Sequence, residues 1–398
     1  MLTHASELRT QIQEYAVRTS ALLEQRRTRL DALIQTLNNS ALLSDALLSD
    51  ALSSDALSSG IGEAPHQQFT FGAEPHSYAL IAADGSQILP DRHKPVVFAF
   101  VQAACACILY GCAEIPQAQR LAEEIQRDKR TRLLSEIDLP LGETANAAAE
   151  VSNLLDVMEI QLLADACTRF AALGVAPLVI ADGSIVPFAL LNERTLANPL
   201  QTEKLLRPLI TALNAMRAAG ALVAGYIDRP NSAAIAQTCA LLSLPPDARD
   251  DAATRAAAAS IEGVFDRHIF ERILPPDRRS ALFDPGWKVN EPNFLGEHAM
   301  RACYANFGDG FGERATLARI EMPQWCASPA DIAVVTAVLR RHASLDPDGY
   351  PFILKAAHEQ AVVTRDDQHE IEAALEQELL RHGFRPRFSP KQAAKNRE

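Results

Sequence analysis

The stretches LIAADGSQI, Leu80 to Ile88, and LVIADGSIV, Leu178 to Val186, are near-duplicates. Each reads as an apolar strand ending in Asp-Gly-Ser, which places Asp84 and Asp182 where the chain leaves a sheet, with Gly85 and Gly183 permitting a sharp turn. If the two strands are neighbours, two carboxylates converge at one end of that sheet. Like charges about 4 Å apart repel by roughly 1 to 4 kcal/mol at effective dielectrics of 80 to 20. A divalent cation removes this conflict, and hard oxygen ligands suit Mg²⁺ or Mn²⁺. A lone Asp-Gly is a common turn pair, so the reading rests on its repetition after two apolar strands.

Working outward, the helix before the second strand offers a third acid. Along VSNLLDVMEIQLLADACTRF the apolar stripe runs through Val151, Leu155, Met158, Leu162 and Ala166. Glu159 lies within that stripe, whereas Asp156 and Asp165 have more polar neighbours. A carboxylate there is costly to bury unless paired or metal-bound, and the alternative is a side chain at the stripe's edge reaching water. Further on, YPFILKAAHEQAVVTRDDQHEI places His358 on a helix. A lone helical His is often a plain surface or core residue, but beside a carboxylate site it suits phosphate orientation or proton transfer.

The rest of the chain reads as α/β. Residues 5 to 37 have a helical apolar period through Leu8, Ile12, Tyr15, Leu22, Leu30, Leu33 and Leu37, an arm suited to packing on the main domain, a second copy or a partner. Ala41 to Gly60 is ALLSD-ALLSD-ALSSD-ALSSG, whose five-residue period fits neither helix nor strand and reads as a linker. Strands are expected at Tyr78–Ala83, within Val96–Leu109, and at Pro177–Ala181, Ala221–Ile227 and Ala315–Met322. Helices are expected over 114–134, 145–171, 203–219, around 246–260, over 329–342 and within 351–382, with long loops from Phe265 to Phe311. The organisation is thus an N-terminal amphipathic helix (1–40), a low-complexity linker (41–76), one α/β domain (77–382) and a basic flexible tail (383–398).

Composition excludes other classes. With 38 Lys+Arg against 50 Asp+Glu the formal charge is −12, which rules out a globally basic nucleic-acid coat protein, though not a carboxylate site acting on nucleic acid. The 48% hydrophobic content supplies a core. Seven scattered cysteines without C-x-x-C spacing suggest neither disulfides nor zinc. No membrane span, signal pattern or phosphate-cradling glycine run is evident, so the expectation is a cytoplasmic protein whose ATP-driven movements come from elsewhere. Local cations do exist, at Arg127, Lys129, Arg130 and Arg132 and in the tail from Arg385 to Arg397.

Taken in order, ADGSQI, LLDVMEIQLL, VIADGS, ARIEMP and PFILKAAHEQA resemble the NurA nuclease family, over roughly residues 77 to 382. The resemblance implies an RNase H-like mixed sheet flanked by helices, a Mn²⁺-preferring two-metal site and DNA as substrate. It also implies DNA end resection alongside a HerA-type hexameric ATPase, and a homodimer. Asp84, Glu159 and Asp182 match the metal-binding acids and His358 the late histidine. Arg319 and Glu321 match a family segment whose role stays open, Asp228 stands where the family commonly has a more basic sequence, and the spacing of 75 residues between Asp84 and Glu159 is longer than the pattern and suggests an insertion around 114–145. Two other readings stand beside this one: a non-catalytic adaptor docking on a translocase ring, and a phosphoesterase acting on RNA or nucleotides.

Overall fold

The computed structural model describes residues 5–39, 63, 66–91, 93–94, 96–135, 138, 144–245, 248, 251–310 and 312–384. The pentapeptide repeat and the basic tail from Arg385 onward lie outside the described residues. In chain order the elements are α1 (Ala5–Asn38), β1 (Gln68–Thr70), β2 (Tyr78–Ile88), β3 (Ala99–Tyr110), α2 (Pro116–Arg127), β4 (Lys129–Leu134), α3 (Thr144–Ala172), β5 (Pro177–Asp182), α4 (Glu193–Leu196) and α5 (Pro199–Ala218). They continue with β6 (Leu222–Asp228), α6 (Ala234–Leu242), α7 (Asp251–Ser260), α8 (Asp266–Ile273), β7 (Arg278–Ser280), β8 (Met300–Asn306), β9 (Leu317–Pro323), α9 (Pro329–Ser344), α10 (Phe352–Ala361) and α11 (Arg365–Arg381). The described strands run in the order β1-β7-β8-β9-β6-β5-β2-β3-β4, a mixed sheet flanked by helices as expected. Among the described residues no helix is long and apolar enough to cross a membrane.

The described residues fall into two compact units, the first drawn from 1–71, 227–286 and 300–320 and the second from 72–226, 287–299 and 321–398. In the first, α1 is helical as its period predicts, but only its end is packed. Leu30, Leu33 and Leu37 are buried with Ile235, Cys239, Leu242 and Phe270, while Leu8, Ile12, Tyr15 and Leu22 are exposed. Thr36 meets Ser243 at 2.8 Å and Arg272 donates to Asp31 at 2.5 Å, fixing the same end. The region expected as loops from Phe265 to Phe311 instead holds α8, β7 and β8. A helix of eight residues and strands of three and seven are too short to show a period above their neighbours. β1 likewise lies inside the span assigned to the linker and pairs antiparallel with β7.

The second unit carries the residues singled out from the sequence. β2 pairs antiparallel with β3 and parallel with β5, β3 pairs antiparallel with β4, and β5 pairs parallel with β6. The helix expected over 114–134 stops at Arg127, and KRTRLL becomes edge strand β4. The charges at Lys129, Arg130 and Arg132 suit a strand with a neighbour on one side only. α3 spans the expected residues, and its whole stripe, Val151, Leu155, Met158, Leu162 and Ala166, is buried. All seven cysteines are buried and free.

The ends of β2 and β3 remote from Asp84 are tied by a polar network. The paired Tyr78 and Tyr110 stack with ring centres 4.8 Å apart, and the Tyr110 hydroxyl meets His342 Nε2 at 2.8 Å. Arg341 lies over the Tyr110 ring at 4.5 Å, and it and the Tyr78 hydroxyl both donate to Glu74 Oε2. His342 is fully buried, and burial, reinforced by Arg341, pushes its pKa down to about 4. The folded state therefore favours neutral imidazole, while the unfolded chain takes up a proton near pH 6.5; stability is present above that pH and is lost as pH falls toward 4. In urea unfolding, the margin of the wild type over His342→Gln is expected to shrink by about 3 kcal/mol between pH 7 and pH 4. A margin that does not change with pH would contradict this account.

Candidate functional site

The register sets the site. Ala83 pairs with Ala181 and Asp182 with Tyr226, so Asp84 and Asp182 stand side by side on β2 and β5 with Tyr226 beside them on β6. Alternation along a strand turns these side chains to one face of the sheet and Ala83, Gly85 and Gln87 to the other. On the first face, His358 of α10 meets Asp84 Oδ2 through Nδ1 at 2.7 Å, and Val363 N donates to Ser86 Oγ at 3.1 Å. Tyr350 bonds Asp182 through its hydroxyl and packs edge-on against Tyr226 at 5.6 Å. Burial, then Asp182, raises the Tyr350 phenol, which keeps it a proton donor.

α3 covers the opposite face. Gln87 Nε2 donates to Ser152 Oγ at 3.3 Å, and a Cβ built on Gly85 would stand 2.5 Å from Glu159 Oε1 and closer still to Leu155 Cδ1. Gly85 thus makes room for the helix acid. This corrects the reading of both Asp-Gly-Ser motifs as turns at strand ends. β2 continues through Asp84 and Gly85 to Ile88 because β3 pairs with it throughout, and only Gly183 has a positive φ, of 89°.

The turn after Asp182 is held from several sides. Gly183 N donates to Tyr226 O at 2.8 Å, and a Cβ on Gly225 would lie 2.6 Å from Gly183 O. Ser184 Oγ donates to Glu321 Oε2 at 2.7 Å and accepts from Val186 N. Buried Glu321 thereby supports the turn, a role its sequence could not separate from direct participation. Asp228, the last residue of β6, is exposed.

The acids interact. Burial first, then Asp84, Asp156 and Asp182, holds the Glu159 carboxyl well above its ordinary range, and burial pushes Asp156 up to about 6. A cavity of about 270 Å³ on the α3 side is lined by Asp156, Glu159, Asp182 and Ser184 and by apolar groups that include Ile160, Ile185, Pro187 and Phe188. Among the described residues no three His, Cys, Asp or Glu side chains are placed to hold a metal ion. Asp84 Oδ1 accepts from Gly85 N while its Oδ2 meets His358, and Asp182 bonds Tyr350. In chemistry and in mutual repulsion the donor set nonetheless fits a hard divalent cation, which would relieve the crowding that burial imposes on Glu159.

Asp84, Glu159, Asp182 and His358 are thus coupled by register, charge or a direct bond. Residues 78–363 match the family model described as NurA domain. The chain belongs to the NurA family. NurA proteins are a family of nucleases working with HerA. No curated protein matches the chain. Within this NurA domain, Tyr350 and Asp156 are the site residues that sequence reasoning did not assign. Tyr350 stood in the quoted segment eight residues before His358, with nothing in its spacing to show that its hydroxyl meets Asp182.

The two glycines fail for different reasons when changed. Gly85→Ala should cost about 1 to 3 kcal/mol in urea unfolding through overpacking, and Leu155→Ala in the same chain should recover part of that loss. Gly183→Ala, whose Cβ meets nothing within 4 Å, should cost about 1 kcal/mol through its backbone conformation alone, with no such recovery.

Proposed function

We propose that this NurA protein is a metal-dependent deoxyribonuclease that hydrolyses phosphodiester bonds in DNA end resection. In this reading it works with a HerA-type hexameric ATPase, as a cytoplasmic homodimer. The single observation that carries the proposal is the meeting of Asp84 and Asp182, in register on parallel strands, with Glu159 brought against the bare backbone of Gly85. The strand arrangement β4-β3-β2-β5-β6, antiparallel up to β2 and parallel after it, supports an RNase H-like core.

Asp84, Glu159 and Asp182 would hold Mn²⁺ or Mg²⁺, as a pair of ions. Bound there, the ions would supply an activated water, charge stabilisation at phosphorus and support for the departing oxygen. The chain's own groups do the positioning. His358 has Nδ1 engaged by Asp84, which leaves Nε2 to hold a phosphate oxygen or pass a proton. Tyr350 fixes the Asp182 carboxylate, and the Ser184–Glu321 bond keeps the following turn in place. Ile160 and Ile185 line the cavity on the α3 side with apolar surface.

Purified Asp84→Asn and Asp182→Asn proteins with native circular dichroism should lose activity on DNA by on the order of 100-fold or more with Mn²⁺, and EDTA should abolish wild-type activity. Calorimetric titration with Mn²⁺ should show the same variants losing affinity. Undiminished cutting by either variant would overturn the proposal, and a panel of single-stranded DNA, duplex DNA and RNA reads the substrate directly.

A further inference from the structure

Phe188 is an exposed aromatic at the candidate site. Its side chain is 82% exposed, yet it lines the same cavity as Asp156, Glu159 and Asp182. Its neighbours along the chain are anchored. Val186 and Leu190 on either side are fully buried, Pro187 is buried, and Leu190 N donates to Pro187 O at 2.9 Å in the short turn Phe188–Leu191. The ring is therefore held out by its neighbours' anchoring, not left on a free loop.

We propose that Phe188 is a substrate-positioning residue on which a nucleobase next to the scissile phosphate stacks. This rests on the nuclease reading above and adds a residue that positions its substrate. The acidic cavity repels a phosphate backbone, so attraction must come from cations and from contacts indifferent to charge. An aromatic face is such a contact, and stacking tolerates every base because every base has a π-face. The cavity's apolar wall, with Phe188 at its edge, suits the flat apolar face of a base.

The test measures binding of a short single-stranded oligonucleotide by fluorescence anisotropy in the non-cutting Asp182→Asn background, with and without Phe188→Ala, Phe188→Leu or Phe188→Trp. Alanine should weaken binding about 5- to 100-fold, tryptophan should restore it and leucine should not. The fold-loss should be the same at 50 and 200 mM salt, whereas loss of a phosphate contact would change with salt. With Asp182 intact, Phe188→Ala should raise KM on single-stranded DNA more than it lowers kcat, and a 2-aminopurine base next to the cleaved bond should be quenched by wild type only. Wild type that cuts single-stranded DNA while Phe188→Ala matches it in binding and KM overturns the inference and leaves the nuclease reading standing. Wild type that neither binds nor cuts DNA overturns both.

Discussion

The approach of Leu155 and Glu159 to the bare backbone of Gly85 is the contact on which the candidate site depends. It brings a carboxylate from a helix packed on one face of the sheet to aspartates that face the other way. The arrangement opposes itself electrostatically, since burial and three neighbouring acids all disfavour an ionised Glu159. Effective costs of several kcal/mol per buried ion are set against the stripe on the same helix. Val151, Leu155, Met158 and Leu162, at about 1.5 to 3 kcal/mol for each fully buried side chain of this size, outweigh that cost together, and so the helix stays where its acid is strained.

The sheet divides the site's chemistry. On the α10 side stand groups that carry protons, His358 on Asp84 and Tyr350 on Asp182. On the α3 side stand Glu159, Asp156 and the cavity with its apolar wall. Only where β5 ends, while β2 runs on beside β3, do the two sides meet. Extension of β2 past its parallel partner keeps Asp84 in a paired strand, so its backbone is fixed by the ladder while Asp182 is fixed by a turn. The two aspartates look alike in sequence and are held by different means.

How much of this was legible in sequence varied with the range of the cause. The stripe on α3 and the place of Glu159 within it could be read because helix period is local, and the bounds of that helix matched. Gly85 could not be read, since Asp-Gly-Ser is a turn signal and the reason for a glycine there is a side chain 70 residues or more further on. The cations of the edge strand KRTRLL suggest a solvated helical face, and only its pairing with β3 makes it a strand. The exposed apolar row of α1 has the period of a packed helix, and sequence does not show which turns find a partner surface. Tyr350 precedes His358 by eight residues, but its hydrogen bond to Asp182 depends on tertiary placement.

That same edge strand has a bearing on how the protein behaves at high concentration. An open edge offers unpaired N–H and C=O groups to any other extended chain, and an apolar edge would template aggregation. Lys129, Arg130 and Arg132 place a cation at three of six positions, and Arg130 is tied back to Asp165 on α3. A second copy approaching along this edge would bring like charges together. The β4 side of the sheet is thereby guarded against adding strands, and self-association through it is disfavoured.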